Sequence, residues 1–186
     1  KALGRNDAVR VQTEIGAFGA VGAPAGLGLL LAAPTIATHG TQEQIDTYVR
    51  DIVTGQRAWC QLFSEPGAGS DLANLGTKAV LDGDEFVVNG QKIWTSTARE
   101  AGMMFALVRT DPKAQPRHAG ISMLLIDLRS PGTTVKPIQT IKGDAEFAEI
   151  SFGDVEVPGE DRVGEEGAGW AVAQATLASE RGLTLV

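Results

Sequence analysis

A short loop that follows a predicted strand carries the residue types best suited to holding a polar ligand. It reads Ser64-Glu65-Pro66-Gly67-Ala68-Gly69-Ser70-Asp71. Its glycines let backbone N–H groups face a ligand without a side chain in the way, and its serines add hydroxyl donors. The loop therefore suits an anion or a polar planar group, although the same residues also make an ordinary surface turn. The lysine and the glycine spacing of known phosphate-binding loops are absent.

A second candidate lies at the end of a later predicted strand, in the sequence Trp94-Thr95-Ser96. A flat indole ring beside two hydroxyls can cover one face of a flat heteroaromatic ligand and hydrogen-bond its edge. The competing interpretation is a core tryptophan with two solvated hydroxyls, because tryptophan is so often buried.

The other reactive side chains indicate no catalytic group. His39 precedes a helix and His118 lies in a proline-rich loop, and neither has a partner at the spacing of a catalytic triad. Cys60 falls within a predicted strand, where we expect an inert core thiol. Patterns typical of zinc or calcium sites are absent, so no metal is indicated.

The composition is that of a folded globular chain. Its 186 residues are 43% hydrophobic and 21% charged, with a net charge of −7. The acidic balance argues against nucleic-acid binding, which needs a basic surface. With one cysteine the chain has no intramolecular disulfide, and the cytoplasm is the expected compartment.

Residues 15–38 are uncharged and long enough to cross a bilayer. The many glycines, the two prolines and the lack of a flanking basic cluster favour instead a buried helix over residues 25–33. We therefore expect no membrane span. No signal peptide is visible at the start, and the absence of a methionine at position 1 is compatible with a fragment.

The pattern of the chain changes twice along its length. Residues 1–58 are rich in Ala, Gly and Leu, and Thr41 with Gln44 forms a capping-box signature for an amphipathic helix over residues 41–53. Another helix begins at Trp170. Between these helices, short apolar or alternating runs predict strands at residues 59–64, 77–81, 85–88, 91–95, 103–110, 121–127, 135–141 and 149–152.

The turn residues between these strands predict the class of sheet. Asp82-Gly83-Asp84 and Asn89-Gly90 are both typical of hairpin turns. Many short strands with no alternating helices favour a barrel or sandwich over a Rossmann domain.

Several ordered motifs together resemble one family, the acyl-CoA dehydrogenases. They are Gln61-Leu62-Phe63-Ser64 with the loop to Asp71, Asp82-Gly83-Asp84-Glu85, Asn89-Gly90-Gln91-Lys92-Ile93-Trp94-Thr95-Ser96 and Asp154-Val155-Glu156-Val157-Pro158. The helix start His39-Gly40-Thr41-Gln42-Glu43-Gln44 fits as well. The residues of these motifs are most similar to those of actinobacterial members that act on bulky or branched acyl-CoAs, including steroid side chains.

The resemblance implies an α+β fold with three parts. Residues 1–58 would end an N-terminal helical domain, residues 59–165 would form a whole antiparallel β-barrel, and residues 166–186 would begin a C-terminal helical domain.

The resemblance also implies an FAD site in which the two candidate segments meet at one cleft and grip the isoalloxazine. Ser70 would also lie near the thioester substrate, and Ser96 near flavin N5. The implied flavin contacts are Gln61, Leu62, Phe63, Ser64, Gly69, Ser70, Trp94, Thr95 and Ser96.

The implied reaction is α,β-dehydrogenation of an acyl-CoA to a trans-2-enoyl-CoA, with electrons passed to an electron-transfer flavoprotein. Family members are dimers or tetramers. Their catalytic Glu lies in the C-terminal domain, beyond the end of this chain. No Glu here, including Glu65 and Glu180, matches it, so we assign no catalytic residue and expect this chain alone to be inactive.

Departures from the family pattern leave two alternatives open. Ala145 lies near the place of a serine that helps to hold CoA, and Asn74 replaces a small residue. One alternative is a non-catalytic FAD- or CoA-binding subunit of a hetero-oligomeric dehydrogenase. The other is a flavin oxidase or hydroxylase on the same fold.

Overall fold

The computed structural model describes residues 4–20 and 25–183, and its first helices precede a single large sheet. The α-helices are α1 (Arg5–Phe18), α2 (Ala33–His39), α3 (Gln42–Gln44), α4 (Arg50–Val53) and α5 (Gly169–Leu183). Two π-helical turns, Gly28–Ala32 and Ile45–Val49, connect some of them into longer helical runs.

The helix over residues 41–53 is confirmed, together with its capping box. The Thr41 hydroxyl accepts from the Gln44 N–H, and the Gln44 side chain accepts from the Thr41 N–H. The helix predicted to end at residue 33 instead continues to His39. Pro34 does not break it, because the preceding π-helical turn leaves room for a residue without an N–H.

Eight strands form one sheet. They are β1 (Trp59–Leu62), β2 (Lys78–Asp82), β3 (Glu85–Ser96), β4 (Met103–Arg109), β5 (Ile121–Asp127), β6 (Thr133–Ile138), β7 (Phe147–Pro158) and β8 (Arg162–Val163). Their order is β6-β7-β3-β2-β4-β5-β8, with β1 also on β4. Most pairs are antiparallel, as predicted.

Two pairings are parallel, because β1 and β2 both run alongside β4 in the same direction. β1 pairs with the first part of β4, Met103–Ala106, and β2 meets β4 further along, at Arg109. Because β5 occupies the other edge of β4, β2 continues along the same edge in the direction of β1. The glycine-rich loop and the 3₁₀ turn at Leu72–Asn74 thus connect two successive strands on one edge and do not form a hairpin.

The Asp82-Gly83-Asp84 hairpin is confirmed, since Asp82 pairs with Glu85 and Gly83 has a φ of 65°. The predicted hairpin at Asn89-Gly90 is wrong. β3 runs straight through it and pairs with β7, with a register shift at Gly90. A β-bulge uses the same residue types as a tight turn.

The sheet has a hydrophobic core on each face. The inner core joins residues of β3, β5 and β7, so the sheet curls around it. The outer core packs the other face against the helices. A 2.8 Å hydrogen bond between the hydroxyls of Thr35 and Thr176 joins α2 to α5 on that side. Within the described ranges, no helix is both long and apolar enough to cross a membrane.

Candidate functional site

A cleft of about 160 Å³ lies where β1 and β3 face the helices. Its lining combines polar and apolar side chains from four segments of the chain. These are Leu27, Gln61, Phe63, Ser64, Ile93, Trp94, Ser96 and Glu180. The two segments that the sequence singled out, one after β1 and one at the end of β3, therefore meet at one cavity.

The walls of the cleft are joined directly by main-chain contact. The Ile93 N–H donates to the Ser64 carbonyl at 3.0 Å. The side chains of Gln61, Ser64 and Ser96 face the cleft, and none takes part in a hydrogen bond with the described part of the chain. They are free to bind a ligand.

Trp94 has a strained backbone that turns its indole out of the sheet. Its φ is +63°, and it lies at a register shift between Lys92 and Thr95. The indole is 59% exposed and touches Phe147 edge-on, with ring centroids 6.2 Å apart. Strain of this kind persists where the surroundings hold it, and it is concentrated at functional sites.

Leu62 and Thr95 lie among the predicted flavin contacts, but their side chains do not line the cleft. Leu62 is buried in the inner core. Thr95 is also buried, and its hydroxyl has no hydrogen-bond partner among the described residues. Both alternate with cleft-facing residues along their strands, so only their main-chain groups can reach a ligand there.

Gly69 and Ser70 also lie outside the lining of this cleft. They are exposed and follow a tight turn closed by hydrogen bonds between Glu65 and Ala68. A Cβ added at Gly69 would meet nothing within 4 Å. The backbone of the loop is thus open to approach by a ligand larger than the cavity itself. The assignment of Gly69 and Ser70 as flavin contacts stays a prediction.

An ion pair under the loop was missed by the sequence analysis. The Lys92 ammonium, fully buried, lies 2.8 Å from the Glu65 carboxylate and donates to the Phe63 carbonyl at 3.2 Å. Glu65 also accepts from the N–H groups of Gly76 and Thr77, at 2.6 and 3.0 Å. One signal was present in the sequence. Lys92 lies an even number of residues after the inward-facing Phe86 and Val88 on β3, and side chains at such positions of a strand share a face.

Burial lowers the pKa of Lys92 to about 8, although the neighbouring Glu65 charge opposes the change. Burial by itself raises the pKa of Glu65. The charge and hydrogen bond of Lys92, together with the two loop N–H groups, outweigh burial and keep that pKa below its ordinary value. Both groups are therefore charged near neutral pH.

Glu180, near the end of α5, provides the single carboxylate among the described lining residues. Leu27, which immediately precedes the first π-helical turn, also lines the cleft and comes from the N-terminal part of the chain. Neither was selected from the sequence, because helix packing alone brings them to the sheet. Among the described residues, no group of three or more His, Cys, Asp or Glu could hold a metal ion.

Comparison with known proteins identifies the family. The profile "Acyl-CoA dehydrogenase, middle domain" matches residues 60–155, which is more than half of the chain. The chain belongs to the acyl-CoA dehydrogenase family. This confirms the family resemblance and the fold class expected from the motifs.

Two relatives come from Mycobacterium tuberculosis. Acyl-CoA dehydrogenase FadE34 is 50% identical over 150 residues, which cover 81% of this chain and 21% of FadE34. Acyl-CoA dehydrogenase IpdE1 is 47% identical over 154 residues, covering 83% of this chain and 40% of IpdE1. The chain thus spans less than half the length of these acyl-CoA dehydrogenases.

Solved acyl-CoA dehydrogenase structures share the fold. The Tcur3481-Tcur3483 steroid ACAD is 39% identical with a TM-score of 0.79, covering 83% of this chain and 40% of that one. The ChsE4-ChsE5 complex from Mycobacterium tuberculosis is 40% identical with a TM-score of 0.79, covering 93% of this chain and 44% of that one.

The residues present fit a flavin. Trp94 presents an exposed aromatic face, and the free side chains of Gln61, Ser64 and Ser96 point into the same cleft. The loop beyond Ser64 has open space above Gly69, where main-chain N–H groups can approach a phosphate or a ring edge.

Proposed function

We propose that this chain is the flavin-binding middle part of an FAD-dependent acyl-CoA dehydrogenase. The complete enzyme removes a proton from Cα and a hydride from Cβ of an acyl-CoA, and it leaves a trans-2-enoyl-CoA. The observation that carries this proposal is the meeting of the Trp94 ring with the unpaired hydroxyls of Ser64 and Ser96 at one cleft.

FAD, when bound, supplies the hydride acceptor. The residues of this chain would hold and surround it. Trp94 would cover one face of the ring system and limit access of water, and Ser64 and Ser96 would donate hydrogen bonds to the ring edge, where negative charge develops. Gln61 offers both an amide donor and an acceptor at the same wall.

Glu180 is our candidate for the group that takes the α-proton. Its carboxylate lines the cleft that Trp94 and Ser96 also line. A base must lie within hydrogen-bond reach of the proton that it removes, and Glu180 is the carboxylate among the described lining residues from which a substrate in this cleft could be reached. The sequence alone placed the base beyond residue 186.

The names of the relatives support a substrate class and partners. The matching steroid ACAD indicates a bulky acyl group. A caffeyl-CoA reductase-Etf complex subunit from Acetobacterium woodii, 34% identical, supports an electron-transfer flavoprotein as electron acceptor. The ChsE4-ChsE5 complex supports a hetero-oligomer, and in such an assembly this chain could instead be the non-catalytic subunit. The cytoplasm stays the proposed compartment, since Cys60 is a free, buried thiol.

The test uses the full-length protein loaded with FAD under anaerobic conditions. Addition of straight-chain, branched or polycyclic acyl-CoA should remove the visible absorbance of the flavin with at least one of them, and an electron-transfer flavoprotein should restore it. Unchanged absorbance with every substrate would contradict the proposal. Stoichiometric peroxide in air would indicate an oxidase instead.

A further inference from the structure

The buried Lys92–Glu65 pair joins three segments: β3, the end of β1 and the residues just before β2. Lys92 reaches from β3 to the Phe63 carbonyl at the end of β1. The Glu65 carboxylate reaches from the loop to the N–H groups of Gly76 and Thr77, just before β2. The pair thus binds both ends of the glycine-rich loop to the strand that carries Trp94.

Each partner of this network is a neighbour of the cleft lining. Phe63 lines the cleft, and Glu65 directly follows the lining residue Ser64. Lys92 directly precedes the lining residues Ile93 and Trp94. A shift of the ammonium relative to the carboxylate therefore displaces the start of the glycine-rich loop, just beyond the Ile93–Ser64 hydrogen bond, relative to β3.

Net stability is a weak reason for placing such a pair in the interior. Removing two charges from water costs about as much as their mutual attraction returns, so a buried ion pair adds little to the free energy of unfolding. Its better-attested effect is to select one arrangement of the chain, because a displaced partner leaves a buried charge uncompensated.

We propose that Lys92 and Glu65 form a positioning pair that holds the end of β1 and the glycine-rich loop in place against β3, together with the Ile93–Ser64 hydrogen bond, and thereby sets the affinity of the cleft for the flavin. This inference rests on the proposed FAD site. Neither side chain lines the cleft, so both act through the main chain of Phe63, Ser64, Ile93 and Trp94.

A pH signature distinguishes positioning by this charge pair from simple packing. In Lys92→Met the Glu65 carboxylate keeps its two loop N–H donors but loses its cation, so burial raises its pKa. As pH rises through that raised pKa, an uncompensated buried charge forms and displaces the loop. The one other charged side chain that interacts with the pair is Arg109, among the described residues.

The experiment compares FAD dissociation constants and the Tm of the flavin-free protein for four full-length variants. Lys92→Met should weaken FAD binding about tenfold or more, since small displacements of positioning groups have effects of this size or larger. This loss of FAD affinity in Lys92→Met should grow as pH rises. The neutral pair Glu65→Gln with Lys92→Met should bind FAD weakly at every pH, without the pH dependence. Glu65→Gln alone should also bind weakly.

Arg109→Met is the matched control. Arg109 is likewise a buried cation, and it donates to the carbonyls of Ala73, Leu75 and Arg117, none of which lines the cleft. Arg109 acts on the pair through its charge and donates no hydrogen bond to either partner, so Arg109→Met should lower the Tm but change the FAD dissociation constant far less than Lys92→Met.

Three results would overturn the inference. One is an unchanged FAD dissociation constant in the double variant Glu65→Gln with Lys92→Met. This variant keeps the inference testable if Lys92→Met alone does not fold. Another is an equal loss of FAD affinity in Arg109→Met. The third is absence of FAD binding by the wild-type full-length protein, which would also remove the proposed function, whereas the first two would leave that function standing.

Discussion

The main-chain N–H of Ile93 donates to the carbonyl of Ser64 at 3.0 Å, and this contact joins the two halves of the candidate flavin site. On one side of it the glycine-rich loop begins, and on the other side the strained Trp94 turns its indole outwards. Two segments that are far apart in the sequence therefore present one continuous wall.

Replacing Trp94 with glycine should separate stability from flavin binding. Glycine accepts the positive φ, which removes strain of about 1–2 kcal/mol, while loss of the Phe147 contact costs about 0.5–1.5 kcal/mol. We expect the free energy of unfolding to change by less than about 1 kcal/mol and FAD affinity to fall by more than about tenfold. Chemical denaturation and flavin fluorescence measure the two. A parallel loss of both would show that Trp94 is structural.

Gly69→Ala should weaken FAD binding without destabilising the protein. The added Cβ meets nothing within 4 Å, and the φ of Gly69 is not in the left-handed region. The substitution should therefore leave stability unchanged or raise it by up to about 1 kcal/mol. Gly67→Ala is the control on the same loop, with equally open space and no predicted flavin contact. Equal FAD affinity in both variants would count against a role for Gly69.

Gly90→Ala should be far more damaging than Gly83→Ala. At Gly90 a Cβ would lie 2.6 Å from the Cα of Thr77, and the bulge there is fixed by hydrogen bonds between Asn89 and Asp154. We expect a loss of about 2–4 kcal/mol. At Gly83 only the positive φ is affected, and the loss should be about 1 kcal/mol. Denaturant unfolding of both variants measures the difference, and similar losses would contradict the bulge geometry.

Glu180→Gln in the full-length enzyme should reduce kcat by about 10²–10⁴-fold, as expected for loss of a general base, with FAD binding retained. Glu165→Gln is the control, because Glu165 is exposed and lies off the cleft. Rapid-reaction reduction of the flavin by acyl-CoA gives the rate. Wild-type rates in Glu180→Gln would show that another group is the base.

Asp161 should make stability depend on pH in an unusual direction. Burial raises its pKa above 3.8, with the hydrogen bond from Tyr48 opposing this. The folded state then binds the proton more readily than the unfolded state, so this group favours folding more as pH falls through its folded pKa. Asp161→Asn should be more stable than wild type near pH 7, and the difference should shrink towards about pH 4. A difference that grew on acidification would refute this.

The sequence was informative where local chemistry determines structure. The capping box at Thr41, the hairpin at Gly83 and the positions of most strands each depend on neighbouring residues, and each was predicted. Asn89-Gly90 was misread because a bulge and a hairpin turn both need a residue that accepts unusual backbone angles. Only the pairing of β3 with β7 distinguishes them.

The candidate site was predictable in its strand residues and not in its helical ones. Trp94 and Ser64 belong to motifs, whereas Leu27 and Glu180 reach the cleft through packing of distant helices on the sheet. The parallel pairing of β1 and β2 with β4 also escaped prediction, because the direction of a strand pair leaves no local signal. Lys92 was missed because a buried cation depends on its partner Glu65, which comes from the loop after β1.

The Thr35–Thr176 hydrogen bond has a consequence for how this enzyme class can diversify. It joins α2, which follows Leu27 in the chain, to α5, which carries Glu180, so the helices that bring these two residues to the cleft are fixed to each other. We expect repacking of that pair to widen or narrow the proposed chamber for new acyl groups, while the strand residues proposed to hold the cofactor keep their positions.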